Sequence, residues 1–133
     1  MESKVLNAVI TGGKDQYGAW IEEVPAFGAG DTLEDTKRNL LEGLRLYMEE
    51  CGELPDILKG NYEIKYSFDT SGYLKYISNY ISFSGLNKLT GINQKQLWSY
   101  ANGYREPNKK TSEKIVNAIN LFGNDISQVQ LRF

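Results

Sequence analysis

A short apolar repeat in NQKQLWSYANG, residues 93–103, carries polar side chains along one side. Helical spacing predicts an inward face made of Ile92, Leu97 and Tyr100 (or Ala101). The residues left on the outward face are Gln94, Lys95, Gln96 and Ser99. Glutamine can form two hydrogen bonds to an adenine edge and lysine can donate to guanine, so this face predicts contacts with DNA bases.

Basic residues follow this face in the loop YREPNKK, residues 104–110. Arg and Lys in such a loop suit DNA phosphates, which they bind without reading the sequence. A solvated loop is the alternative interpretation. Trp98 lies between the two faces, and we expect it to pack on the preceding helix rather than on a sugar-phosphate group. The residues expected to contact phosphates are Ser84, Asn93, Tyr104, Arg105, Lys109 and Lys110.

The residue types that most catalytic and metal sites need are scarce in this chain. It contains no histidine, and Cys51 is its only cysteine. The usual zinc sites and the Ser-His-Asp and Cys-His nucleophilic schemes are therefore excluded. We expect a protein that is not an enzyme and that needs no metal and no cofactor.

Two features that resemble chemical motifs have simpler explanations. TGGK, residues 11–14, lacks the spacing of a phosphate loop and precedes a predicted strand, so we interpret it as a hairpin turn. Asp31, Glu34 and Asp35 stand at the start of a predicted helix, where carboxylates favour the positive end of the helix dipole. Both features indicate local structure rather than a ligand site.

Charge divides the chain into two parts. Residues 1–69 hold seven Lys and Arg against fourteen Asp and Glu, a balance of −7, while residues 70–133 hold eight against three, a balance of +5. This asymmetry predicts two domains, 1–69 and 70–133, with different partners. The N-terminus has no signal-peptide pattern and no apolar run could span a bilayer, so we expect a cytoplasmic protein.

The acidic part predicts an α+β domain. Two strands flank the turn at residues 12–15, AFGAG adds a short third strand, and NYEIKYSF, residues 61–68, adds a fourth. A helix starts at an N-cap on Asp31 or Thr32 and ends before Gly52. The order βββαβ predicts a small antiparallel sheet with a helix packed on one face.

The basic part predicts an all-α domain built around a helix-turn-helix unit. A first helix covers residues 71–82, a second runs from a cap on Ser84 to Gly91, and a third runs from a cap on Asn93 to Gly103. A fourth helix is predicted from a cap on Thr111 or Ser112. The last segment, NDISQVQLRF, alternates enough to predict a terminal strand, which we expect to pair with a second copy in a homodimer.

The segment from residue 86 to residue 129 resembles the Cro/cI-type (XRE) helix-turn-helix family. The resemblance implies base contacts at the outward residues of the third helix and phosphate contacts in the loop 104–110. The residues that match the family pattern are Leu86, Thr90, Gly91, Ile92, Leu97, Asn102, Gly103 and Pro107.

Residues 16–50 resemble the N-terminal domain of HicB-type antitoxins, most specifically in the run GDTLE at 30–34. That resemblance implies a partial ribonuclease-H-like domain that has no nuclease activity and binds a HicA-type, mRNA-cleaving toxin. The expected function is an antitoxin of a type II toxin-antitoxin system that also binds operator DNA and represses its own operon. Adjacent residues of a strand point to opposite faces, so Glu22 and Glu23 are not a catalytic pair. Together with Trp20 they are the predicted toxin contacts.

Two alternatives to this function remain open. One is a free-standing transcriptional regulator whose N-terminal domain senses a small ligand. The other is a ribonuclease-H-like nuclease, which would need several carboxylates converging on a metal ion, and the predicted strands offer no such set.

Overall fold

The computed structural model describes residues 4–133 and combines a four-stranded sheet with five α-helices. The predicted α+β class is confirmed. The observed order departs from the predicted one, because a one-turn 3-10 helix, Asp56–Leu58, precedes the last strand, and the described residues end without a fifth strand. The strands are β1 Lys4–Gly12, β2 Tyr17–Ile21, β3 Phe27–Gly30 and β4 Tyr62–Phe68. The helices are α1 Leu33–Glu50, α2 Thr70–Ile77, α3 Phe83–Thr90, α4 Gln94–Ala101 and α5 Lys109–Ser127.

The sheet is mixed rather than antiparallel, which corrects the sequence prediction. Its strand order is β3-β2-β1-β4, and β1 pairs antiparallel with β2 but parallel with β4. The turn between β1 and β2 is the predicted hairpin, closed by a 2.9 Å bond from Gly13 N to the Gln16 carbonyl. After β3 the chain crosses the sheet through α1 and enters the far edge beside β1. Such a crossover allows parallel pairing, whereas periodicity within a strand carries no information about direction.

Helix α1 covers one face of the sheet at unusually short range. Thr32 is its N-cap, one of the two predicted caps, and its hydroxyl accepts a 3.0 Å bond from Asp35 N. A Cβ on Gly28 would collide with the backbone of Leu40, and one on Gly43 would collide with the Phe27 carbonyl. The two glycines therefore let the backbones of α1 and β3 touch, and Leu40 is fully buried beneath them.

The helices of the second part follow the predicted apolar stripes, but two of the predicted N-caps are wrong. Ser82, not Ser84, caps α3, with its hydroxyl 3.0 Å from Gly85 N. Asn108, not Thr111 or Ser112, caps α5. In both places several residues that can cap a helix stand close together, and the local sequence does not distinguish among them.

The predicted terminal strand is also wrong. Helix α5 continues through Gly123 to Ser127, and residues 128–133 form neither helix nor strand. Phe122, Ile126 and Val129 are spaced by four and three residues, which fits a helix, whereas the three-residue step does not fit the alternation of a strand. Ile126, Val129 and Leu131 are all exposed. Pairing of this segment as a β-strand therefore has no basis in the fold.

Two hydrophobic cores lie on either side of residue 69. One is enclosed by the sheet and α1 and is centred on Leu6, Ile10 and Leu40. The other is enclosed by α2 to α5 and is centred on Leu86 and Leu97. Among residues 4–133 no helix has both the length and the apolar content needed to cross a membrane.

The two parts meet along a seam lined by glycines. A Cβ on Gly12, at the end of β1, would collide with the Ala101 carbonyl at the end of α4. A Cβ on Gly72, in α2, would collide with the Ile10 carbonyl. Lys75 crosses the same seam and donates a 3.1 Å bond to the Gly13 carbonyl. The sheet and the helices are therefore in direct backbone contact.

Candidate nucleic-acid interface

The turn between α3 and α4 is fixed by side-chain hydrogen bonds. Gly91 ends α3 with φ +74°, a left-handed conformation that glycine adopts without strain, as predicted. The Thr90 hydroxyl donates to the Leu86 carbonyl at 2.7 Å and accepts from Ile92 N at 3.1 Å. Asn87 donates from its side-chain amide to the Ile92 carbonyl at 2.8 Å. These bonds set the angle at which α4 leaves α3.

The inward face of α4 is the one predicted from the sequence. Leu97 is fully buried, and Ile92, Tyr100 and Ala101 are buried with it in the second core. Asn93 caps the helix by accepting a 2.8 Å bond from Lys95 N. The prediction for this face is confirmed, and the opposite face of α4 is left for solvent or a ligand.

Three of the four predicted base-contacting residues come together on that outer face. Gln94 and Lys95 are exposed and Ser99 is half-buried, and all three line one shallow hollow at the start of α4. Gln96 does not line it, because its side-chain amide donates to the hydroxyl of Tyr100. Base contact by Gln96 stays a prediction that would require this bond to break.

Two aromatic residues that the sequence analysis did not assign to the outer face complete the hollow. They are Phe83, at the start of α3, and Trp98, which is 47% exposed. The Trp98 ring stacks on Tyr104, in the loop after α4, a contact that the sequence did not predict. The signal was present in the spacing, since Trp98 stands four residues after Gln94 and so shares its face.

The predicted phosphate-contacting residues are all exposed but fall in separate places. Ser84 lies in the first turn of α3. The side-chain oxygen of Asn93 already accepts the hydrogen bond that caps α4. Tyr104 and Arg105 occupy the loop after α4, and Lys109 and Lys110 begin α5. Lys109 also lies 4.0 Å from Glu113, a surface pair that leaves its ammonium group largely solvated.

Arg105 and Lys109 line a second cavity, between the sheet and the helices. This cleft measures about 550 Å³, and its walls include Gly12 from β1 and Asp69 and Ser71 from the start of α2. Its charges are mixed, because Glu106 also contributes to the wall. Arg105 and Lys109, which are predicted to contact phosphates, therefore also face the first part of the chain.

The three predicted toxin-contacting residues surround one hollow of about 510 Å³ at the edge of the sheet. Trp20 lies in β2, directly opposite Phe27 of β3 and Val9 of β1, on the face that α1 does not cover. Phe27 is 68% exposed and was not among the predicted contacts. Glu22 and Glu23 lie in the loop after β2 rather than within a strand.

Glu23 is fixed by Asn7, whose backbone N and side-chain amide each donate a 2.7 Å bond to its carboxylate. Partial burial raises the pKa of Glu23, but the two hydrogen bonds favour the charged form more strongly and the pKa lies below its ordinary value. Glu23 is therefore a fixed negative charge beside the half-buried Trp20 and the exposed Phe27.

Within residues 4–133, no three His, Cys, Asp or Glu side chains are grouped closely enough to hold a metal ion. Comparisons with protein-family models, with characterised proteins and with solved structures found no match for this chain.

Proposed function

We propose that this chain is an antitoxin of the HicB type, which binds operator DNA through α4 and a HicA-type ribonuclease through its sheet. The observation that carries the proposal is the outer face of α4. Its N-terminal turn exposes Gln94 and Lys95 on the second helix of a helix-turn-helix unit, where members of that class insert side chains into the major groove.

The surroundings of α4 support a polyanionic ligand. Residues 70–133 have a net charge of +5. Three of their basic residues follow α4: Arg105 in the loop, and Lys109 and Lys110 at the start of α5. Such residues would contact phosphates and set the position of α4 on the duplex. Because helix-turn-helix proteins usually bind two half-sites, we propose that the chain acts as a homodimer and represses its own operon.

Selection from random duplexes tests the DNA-binding part. One sequence should be enriched, and Lys95→Ala should weaken binding to it by about tenfold or more at fixed salt, since a good base contact contributes about 1–3 kcal/mol. Lys65→Ala is the matched control, because it removes the same charge from an exposed position on β4. Failure to enrich a sequence, or equal losses in the two variants, would contradict DNA reading by α4.

The sheet supports the second part of the proposal. Trp20 and Phe27 present apolar rings on the uncovered face, and Glu22 and Glu23 add negative charge at its edge. Residues 1–69 have a balance of −7. A ribonuclease must be positive where it holds RNA, so an acidic surface with exposed aromatic rings is complementary to such a partner.

Co-expression tests the toxin-binding part. The neighbouring reading frame should encode a small basic protein whose ribonuclease activity arrests growth, and this chain should relieve the arrest and purify with it. Phe27→Ser should weaken the complex because it removes an exposed aromatic contact. Leu46→Ser is the control, since Leu46 is 43% exposed on α1, on the other side of the sheet. Equal behaviour of the two variants would exclude the sheet face as the binding surface.

A second candidate function is a free-standing transcriptional regulator that senses a small ligand. The cleft of about 550 Å³ between β1 and the loop after α4 favours it, because a molecule bound there would touch both parts of the chain. The two functions differ in a simple observation. A regulator would change its DNA affinity when a small molecule binds, and it would not relieve the growth arrest caused by the neighbouring protein.

A further inference from the structure

The hollow beside the first turn of α4 is lined by both apolar and polar side chains. Its volume is about 470 Å³, and its apolar lining is supplied by Phe83 and Trp98. Its polar lining consists of Gln94, Lys95 and Ser99, all from α4. A ligand that matches this lining presents an apolar group beside hydrogen-bonding groups.

The two aromatic rings that line the hollow are ordered before any ligand binds. The Trp98 ring stacks on Tyr104 with centroids 5.3 Å apart and planes 14° from parallel. Phe83 is half-buried against the second core, which restricts its movement. Because both rings are already ordered, a ligand would lose little affinity to the ordering of side chains.

The major groove of B-DNA offers one group of the required kind. The C5-methyl group of thymine is the only apolar group exposed there, and it stands beside the O4 acceptor. Lys95 and Gln94 carry N–H donors that suit this oxygen, and the +5 balance of residues 70–133 suits the phosphates on either side.

We propose that the hollow between Phe83 and Trp98 binds the C5-methyl group of one thymine in each half-site. The donors of Lys95 and Gln94 would satisfy the oxygen next to it. This inference rests on the proposed DNA binding and adds a specificity that the polar residues alone would not give. Loss of the methyl group should weaken binding roughly fourfold to tenfold, as expected for one buried methyl group.

The test uses the wild-type chain and the duplex enriched from random sequences. Each thymine is replaced in turn by deoxyuridine, which lacks only the C5-methyl group, and the dissociation constant is measured at fixed salt. One thymine in each half-site should show the loss, and substitution at the others should have little effect. If a sequence is enriched but no replacement weakens binding, the inference is overturned while the proposed DNA binding stands.

A variant then assigns the effect to the hollow. In Trp98→Ala the difference between thymine and deoxyuridine should disappear, whereas Tyr80→Ala, which removes a 73% exposed ring from the region after α2, should preserve it. Melting curves confirm that each variant is folded, and Trp98→Leu provides a second variant with an apolar side chain. A methyl effect that persists in both Trp98 variants would overturn the inference. So would loss of protein-partner binding in these variants with unchanged DNA affinity. Failure to enrich any sequence would overturn it together with the proposed DNA binding.

Discussion

The indole ring of Trp98 lies nearly parallel to the ring of Tyr104, with the two centroids 5.3 Å apart and a 14° angle between the planes. The stack joins the outer face of α4 to the loop that follows it, and it leaves the indole 47% exposed. Trp98 therefore reports on the face of α4 that we propose binds DNA. The other tryptophan, Trp20, lies half-buried on the uncovered face of the sheet.

The positions of the two tryptophans predict separate fluorescence responses. In Trp20→Phe the remaining Trp98 emission should change when operator DNA is added, because DNA would replace water around the exposed indole. In Trp98→Phe the remaining Trp20 should respond more strongly to the protein partner than to DNA. Titration with DNA and titration with the protein partner, each followed by tryptophan emission, measure the two responses. A DNA response from Trp20 alone would place the DNA contact on the sheet instead.

Arg105 provides a prediction about salt dependence. Arg105→Ala should weaken binding to all DNA sequences, because its guanidinium is expected to contact a phosphate rather than a base. The slope of log K against log salt concentration should fall in magnitude by about 0.9, the value for one released counterion. Arg38→Ala removes the same charge from α1, where Arg38 pairs with Asp35, and should leave the slope unchanged. A sequence-dependent loss in Arg105→Ala would indicate a base contact.

Gly91 and Gly123 predict opposite effects of the same added methyl group on stability. Neither glycine has an atom within 4 Å of the position a Cβ would take, so neither substitution causes a collision. Gly91 has φ +74°, and Gly91→Ala should lower the free energy of unfolding by about 1–2 kcal/mol. Gly123 lies inside α5, and Gly123→Ala should raise it by about 0.5–1 kcal/mol. Urea denaturation measures both, and a shift of the same sign in the two variants would contradict the conformational explanation.

Glu23 predicts a dependence of stability on pH. Its pKa is lower in the folded chain than in the unfolded chain, so its contribution is complete above the ordinary carboxyl pKa of 4.5 and is lost as the pH falls through the lowered value. Glu23→Gln should therefore destabilise the chain at pH 7, by less than about 1 kcal/mol because the group is solvated, and have a smaller effect at pH 3.

The control for this prediction is Glu22→Gln. Within residues 4–133 the Glu22 carboxylate accepts no hydrogen bond, although the substitution removes the same charge from the neighbouring position. Urea denaturation at the two pH values gives the comparison. If Glu22→Gln shows the same dependence on pH as Glu23→Gln, the effect comes from the net charge and not from Asn7.

Local signals predicted the parts of the fold that local interactions determine. The cap at Thr32, the left-handed Gly91 and the buried face around Leu97 each depend on residues within a few positions of one another. The parallel pairing of β1 with β4 joins Lys4 to Tyr62 across most of the first part, and no short pattern encodes that pairing. The topology of the sheet therefore depends on contacts between segments that are far apart in the sequence.

The candidate nucleic-acid interface also has features that the sequence predicted and features that it did not. The period of α4 predicted that Gln94, Lys95 and Ser99 face outward, and they do. The bond from Gln96 to Tyr100 and the stack of Trp98 on Tyr104 depend on rotamers and on the path of the loop. Spacing places a residue on a face of a helix, but only the surrounding atoms decide where a long side chain points.

The glycine seam can couple the two proposed ligand surfaces. Where Gly12 meets the Ala101 carbonyl, the backbones of β1 and the last turn of α4 are in contact, and the Ser71 hydroxyl lies beside them. A flexible side chain could absorb a small displacement of the sheet, whereas a contact between two backbones transmits it more directly. If a protein bound to the sheet favours one position of β1, it also favours one position of α4. If the chain binds DNA through α4 and a protein through the sheet, as proposed, thermodynamic reciprocity requires that each ligand change the affinity for the other by the same factor.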